Sequence, residues 1–491
     1  MNQYWILVAI LLPVIGGGLV PLLPFKQRKQ MLVYLELMTL LTSVIVWGVL
    51  SNGKTEVFHV IYFVEGLSIS FKIDGLSMVF AGLVSILWPM ATLYAFEYME
   101  HEDREKTFFM FYSVAYGVTL GIAFASDMLS MYFFYELLTL STVPLVLHTL
   151  KREAILASRK YLYYSLGGAA FAMMGLVFII IYGNTCEFVL GGILALDKIG
   201  DKANLLLWIY LFTFMGFGVK AAIWPLSSWL PQAGVAPTPV TALLHAVAVV
   251  KAGVFAMIRL TYYSFGTEFL RGTWVQYVVM SLAIFTIVYG CSRAVKETHI
   301  KRRLAYSTVS NLSYVIFGIA IMTPLGLVGA LCHLVCHAVM KITAFLCAGA
   351  FMHQTGKSYV YEMDGMGRKM PIVFVSLMVS SFGIMGVPGF AGFISKWNLA
   401  NAAVESGNVL AYFGIAALLI SALLTAIYML TVVVRAFFPK QDFDYSTISA
   451  VKDPSWKMCL PLVICTLATI GLGLFSTPLM QFFGNIANGF Y

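Results

Sequence analysis

Charged side chains are scarce in this 491-residue sequence. Asp, Glu, Lys and Arg make up 11% of it, while 60% is hydrophobic. A soluble domain carries roughly 25% charged residues, so a water-facing surface of ordinary composition is excluded. The seven cysteines are scattered, mostly inside apolar runs, and imply no disulfide framework. A Gly-rich phosphate loop, a dinucleotide fingerprint and a hydrolase elbow are all missing. No catalytic residue, cofactor site or metal site is therefore assigned. A basic start is also missing: Met1-Asn2-Gln3 leads straight into nearly twenty apolar residues, which reads as a span rather than a cleaved signal.

What fills the chain is apolar sequence in runs of about 20 residues, each long enough to cross a ~30 Å hydrocarbon core as a helix. About fourteen occur, at 4–22, 31–50, 74–97, 107–126, 128–150, 160–182, 204–225, 239–262, 273–292, 302–322, 326–352, 371–400, 408–435 and 457–482. The fold class expected is an all-α polytopic membrane protein.

The net charge of +8 points to topology rather than to nucleic acid. With residue 1 outside, 21 of the 31 basic residues fall in inner loops, from Lys26, Arg28 and Lys29 through Arg293, Lys301 and Arg303 to Lys457. Six are outer: Lys54, Lys72, Lys198, Lys202, Arg271 and, at the membrane edge, Arg259. This bias predicts a multi-pass protein of the cytoplasmic membrane with both termini on the outer side.

Four lysines remain, Lys220, Lys251, Lys341 and Lys396, all inside predicted spans. A lysine at the bilayer centre costs about 2.5–3.5 kcal/mol on insertion scales, so four are a functional signal unless they snorkel to an interface. Glu136 is equally deep, nine residues or about 13.5 Å beyond Asp127 at the outer start of the fifth span. A glutamate and a lysine placed together there can both stay charged. Glu36, about five residues into its span, reads as interfacial. In the eleventh span His333, His337 and Lys341 lie at i, i+4 and i+8 and form one stripe about 12 Å long. Three readings compete: a metal or haem site, helix-to-helix hydrogen bonds, or a proton relay. Against the first, no third ligand or HExxH pattern accompanies the pair, and Cys332 and Cys336 are spaced one residue too far apart for haem attachment. The relay is favoured, because neutral imidazole accepts a proton at one nitrogen and releases it at the other. In the eighth span His245 and Lys251 are about 120° apart around a regular helix, so each faces a different neighbour.

Two lysines sit beside helix breakers. Pro225 follows Lys220 and frees the carbonyl of Ala221. Pro388, amid Gly383, Gly386, Gly389 and Gly392, precedes Lys396 and frees the carbonyl of Ile384. Irregular backbone at membrane depth survives only where protein or water satisfies it, so the seventh and twelfth helices are expected to be discontinuous and to line polar cavities. They lie five spans apart. That order suggests two inverted five-helix repeats, 107–262 and 273–437, between N-terminal helices (1–106) and a C-terminal loop and helix (438–491).

The segment WLPQAGVAPTPVTALLHAVAVVKAGVF, together with Glu136, Lys220 and HLVCHAVMK, resembles the antiporter-like membrane subunits of respiratory complex I. The likeness is closest to the D-type subunit of Mrp-type cation/proton antiporters and to the related subunit of membrane-bound hydrogenases, over about residues 70–440. The resemblance implies fourteen helices with two inverted five-helix repeats and proton transfer along a central polar axis. It also implies that Glu136 pairs with Lys220, that His245 and Lys251 link two half-channels, that His333, His337 and Lys341 continue the axis, and that Lys396 ends it. Cys336 stands where relatives often have Asn, Gly389 where a second proline often follows, and Lys396 where some have Glu.

The function expected is a proton-translocating, antiporter-like subunit of a multisubunit complex, working with sister membrane subunits in the lipid bilayer, with Na⁺ a further candidate ion. The energy must come from a partner or a cation gradient. The alternatives are a stand-alone transporter of an organic solute, or a scaffold anchoring a redox arm. The first needs a recognition set that the sequence does not display, and the second has no use for intramembrane charges.

Overall fold

The computed structural model describes residues 3–53, 55–64 and 67–490; Lys54 and the terminal residues 1, 2 and 491 lie outside the described residues. A helix answers each predicted span. They are α1 (Tyr4–Gly18), α2 (Arg28–Leu50), α3 (Gly75–Tyr98), α4 (Glu105–Phe124), α5 (Met128–Val146), α6 (Arg152–Tyr182) and α7 (Ala203–Lys220). Then come α8 (Thr238–Phe265), α9 (Trp274–Lys296), α10 (Ile300–Ile321), α11 (Pro324–Thr355), α12 in two pieces (Pro371–Met385 and Ala391–Glu405), α13 (Val409–Phe437) and α14 (Trp456–Leu474). Twelve of the described helices are long and apolar enough to cross a bilayer by themselves; α1 and the first piece of α12 are shorter apolar helices. A short α15 (Thr477–Ala487) follows.

Burial sorts these helices into layers. The apolar window of α8 is 100% buried and those of α10 and α11 are 94% buried, against 39% for α6 and 33% for α14. The three central helices are surrounded by protein, and the outer ones turn apolar side chains such as Leu140, Tyr163 and Leu423 outward, where lipid is the natural solvent. Ionisable groups on α8, α10 and α11 therefore meet protein atoms or trapped solvent rather than lipid.

Four departures from the sequence reading have physical causes. A two-stranded antiparallel hairpin, β1 (Phe58–Val64) with β2 (Leu67–Phe71), interrupts the all-helical expectation. It is tied to the start of α5, where Ser130 Oγ accepts from Ser70 N (2.8 Å) and Asp127 Oδ2 accepts from Ser70 Oγ (2.5 Å). Second, α2 begins at Arg28, held by Glu105, three residues before the predicted run, and Glu36 Oε2 is buried without a protein partner. Third, Lys301 and Arg303, counted with the inner loops, are 4% and 6% exposed inside α10, bonded to the carbonyls of Ala236 and Tyr428. Fourth, Arg259, counted with the outer basic residues, is 0% exposed and gripped by Asp74.

Candidate functional site

Both predicted helix breaks exist. Helix α7 stops at Lys220, the chain passes through Ala222 with φ of +56°, and the indole of Trp229 folds back to donate to Val219 O (2.8 Å). Helix α12 stops at Met385 and restarts at Ala391, with Gly386 and Gly389 at φ of +89° and +90°, a region glycine enters freely. The carbonyl of Ile384, freed by Pro388, receives Lys396 Nζ at 2.8 Å, and Met385 O receives it at the same distance. The lysine of one half-helix thus satisfies the loose end of the other.

A third break was not legible. Helix α8 kinks at Val247 and Ala248, whose ψ values of −53° and −84° accompany a bond from Ala248 N to Leu243 O, five residues back. No proline or glycine marks it. It lies between His245 and Lys251, so the 120° expected from a regular helix does not apply. Beyond it Gly253 lets α8 press against the end of α7: a Cβ there would stand 2.5 Å from Ala221 N.

Lys251, 0% exposed, holds the clearest contact of the site: its Nζ lies 2.7 Å from His337 Nδ1 on α11. A charged Lys251 donates, so His337 carries its own proton on Nε2. One turn away His333 Nδ1 lies 2.9 Å from Ser395 Oγ, whose hydroxyl already donates to Gly392 O. His333 therefore donates from Nδ1 and leaves Nε2 as an acceptor. The two rings are 5.8 Å apart, and neither Nε2 has a protein partner. One free Nε2 is a donor and the other an acceptor, the complementarity a relay requires. Ser395 adjoins Lys396, so a path of side chains runs Lys251–His337–His333–Ser395 towards Lys396.

The stripe on α11 is real, but its members diverge. His337 meets α8, His333 meets α12, and Lys341 meets α10, where its Nζ donates to Ser307 Oγ (2.6 Å). His245 makes no hydrogen bond at either nitrogen and packs its ring 4.7 Å from that of Phe345 on α11. That ring contact joins it to α11. Lys220 turns towards α5. Its Nζ donates to the carbonyl of Tyr135 and stands 3.4 Å from that ring's centroid. Glu136 is the next residue, half-buried, with Oε1 unpaired; the two charges act on each other without an ion pair within 4.0 Å. Tyr135, Ser307 and Ser395 were missed in the sequence, since a lone hydroxyl or aromatic in a span carries no signal until its neighbour is known. Among the described residues no group of three His, Cys, Asp or Glu side chains could hold a metal ion.

Towards the C-terminal end of α8 lies a further buried pair. Arg259 Nη1 and Nη2 bond Asp74 Oδ2 (2.5 Å) and Oδ1 (2.9 Å), and Asp74 also caps α3 by accepting from Ser77 N. Burial alone would push the Asp74 carboxyl up; the Arg259 charge and hydrogen bonds outweigh that and hold it below the usual range.

Fold and site define a polytopic helical membrane protein with a buried row of lysines and histidines at broken helices. The description "NADH:quinone oxidoreductase/Mrp antiporter, TM" matches residues 125–449, and "NADH-Ubiquinone oxidoreductase (complex I), chain 5 N-terminus" matches residues 65–109. The chain belongs to this NADH:quinone oxidoreductase/Mrp antiporter membrane family. It is 29% identical over 458 residues to "NAD(P)H-quinone oxidoreductase chain 4 3" of Picosynechococcus sp., covering 90% of this chain and 81% of that one. It is 28% identical to a Na(+)/H(+) antiporter subunit of Alkalihalophilus pseudofirmus, over 86% of this chain and 54% of that one. Its fold matches a chain in the structure of the Mrp complex from Dietzia sp. with a TM-score of 0.85 at 20% identity, over 100% of this chain and 98% of that one.

Proposed function

We propose that this chain is the proton-carrying, antiporter-like subunit of a multisubunit membrane complex. Protons pass along Glu136, Lys220, Lys251, His337, His333 and Lys396, with His245 beside the path and Lys341 joining it. The observation that carries this reading is the 2.7 Å contact between Lys251 and His337, two ionisable groups from different central helices, both 0% exposed. No stability argument favours such a pair over packed leucines, because desolvating it costs several kcal/mol. Moving a proton gives it a purpose: each transfer changes the charge felt next door, and in a low-dielectric interior that coupling is strong.

The paired breaks at α7 and α12, five spans apart, support a division into two five-helix units, 107–262 and 273–437, inverted relative to each other. The positive-inside bias supports both termini on the outer side of the cytoplasmic membrane. On this reading the driving energy enters from sister subunits: a redox module, or antiporter partners exchanging a cation such as Na⁺. Replacing Lys220 with Ala in the assembled complex and following proton movement in membrane vesicles tests the reading. Loss of transport with the complex intact is expected, and an unchanged rate counts against it.

A further inference from the structure

We infer that Lys341 heads a second hydrogen-bonded strand, a run of buried hydroxyls and one thiol that bypasses the His337–His333 stretch. Lys341 Nζ donates to Ser307 Oγ (2.6 Å), which lies 2.6 Å from Tyr428 OH on α13. Tyr428 OH is 3.2 Å from Thr425 Oγ1, and Thr425 Oγ1 is 3.8 Å from Cys291 Sγ on α9, within reach for the larger sulfur atom. Cys291 Sγ lies 2.8 Å from Ser421 Oγ, which accepts from Tyr314 OH at 2.6 Å. The ring of Tyr314 then packs 4.9 Å from that of His333, and Lys396 Nζ stands 5.3 Å from its centroid. Every link from Lys341 to Tyr314 is at most 1% exposed.

The strand rests on the proton-carrying reading and extends it. Hydroxyls and thiols each donate one proton and accept another, so the run can pass a proton without any side chain keeping it. Lys341 releases a proton to Ser307 as the Ser307 proton moves to Tyr428. The same exchange repeats through Thr425, Cys291 and Ser421 once their protons rotate from Ser421 O, Ser310 Oγ and the Tyr314 side. Tyr314 OH then passes one proton through a bridging water to His333 Nε2, a buried acceptor without a protein partner. One N–H bond breaks at Lys341, one bond to hydrogen forms at the far end, and each link in between ends with as many protons as it began. The span from Ser307 to Tyr314 is seven residues of helix, about 10 Å of membrane depth. Among the described residues no carboxylate stands within 4.0 Å of Lys341 Nζ, so Ser307 Oγ and the carbonyl of Leu304 are its hydrogen-bonding partners. The plain alternative is helix-to-helix adhesion, to which buried Ser, Thr and Tyr contribute about 0.6 kcal/mol each in membranes. Adhesion does not depend on an unbroken run.

The test uses the assembled complex in membrane vesicles, with the amount of complex measured for each variant. Tyr428→Phe keeps the ring and breaks the run. It is expected to slow proton transport at least about tenfold, below the 10²–10⁴ of an obligatory transfer group because the histidine route remains. Cys291→Ala should slow it comparably and Cys291→Ser should regain most of the loss; this pair decides the matter if Tyr428→Phe fails to assemble. In the double variant Lys341→Met/Tyr428→Phe transport should be no slower than in Lys341→Met alone, within about twofold, because both act on one strand. Wild-type rates in Tyr428→Phe and Cys291→Ala, or losses that multiply in the double variant, overturn the strand. Lys251→Met run alongside separates the two ideas: if it too transports normally, the proton-carrying reading itself fails.

Discussion

Lys396 has two separable duties, and two substitutions pull them apart. Its Nζ donates to the carbonyls of Ile384 and Met385, both at 2.8 Å, across the break in α12. A hydrogen bond to a charged group is worth about 1.5–3 kcal/mol in soluble proteins and less, about 0.6–1.7, between membrane helices. At the break no other donor competes, so a value of about 1–2 kcal/mol for each bond is reasonable. Lys396→Met removes both and leaves two acceptors facing an apolar chain, at a cost of about 2–4 kcal/mol. For a chain of this length that lowers the thermal midpoint by about 2–4 °C. Lys396→Arg keeps a charged donor for both carbonyls but does not give up its proton. It should hold the midpoint within about 1 °C of wild type while abolishing proton transport. Thermal denaturation in detergent, read together with vesicle transport, makes the comparison. A Met variant as stable as wild type would refute the anchoring role, and an Arg variant that transports normally would refute the carrying role.

Two further outcomes follow from the geometry. Gly392→Ala should disrupt the same break, since its Cβ would stand 1.9 Å from Gly383 O and only backbone movement can relieve that; a midpoint loss of about 1–3 °C, with impaired transport, is the expected reading of an overpacking cost of about 1–3 kcal/mol. Asp74→Asn strands the buried Arg259 charge and should cost about 3–5 kcal/mol in the same melting assay. Because Arg259 holds the Asp74 carboxyl below its ordinary range, its contribution is fully present above the unfolded pKa of about 3.9 and fades only as pH falls below that. The wild-type advantage over Asp74→Asn should therefore be constant from about pH 8 to 5.

Which features were legible depended on where their causes lie in the chain. The break in α12 could be read locally, because Pro388 removes a donor four residues after the Ile384 carbonyl, and Lys396 takes that carbonyl. The place of Glu136 within α5 followed from counting residues, and the stripe on α11 from helical spacing. The kink at Val247–Ala248 could not be read, since nothing in the local sequence favours it and tertiary packing imposes it. The partners of the stripe were equally hidden. Lys251, Ser395 and Ser307 come from three helices far apart in sequence, and one-dimensional periodicity says which face a residue occupies, not what meets it. The start of α2 lies three residues before the apolar run because Arg28 pairs with Glu105 there. The pairing of Glu136 with Lys220 implied by the resemblance becomes, in the structure, a contact through the carbonyl and ring of Tyr135.

The most direct trial of the account is proton uptake into vesicles carrying the complex with Lys251→Met, an apolar side chain of similar length at the 2.7 Å contact with His337. The account predicts assembly at wild-type levels with proton movement reduced about a hundredfold or more. Uptake at the wild-type rate would contradict it.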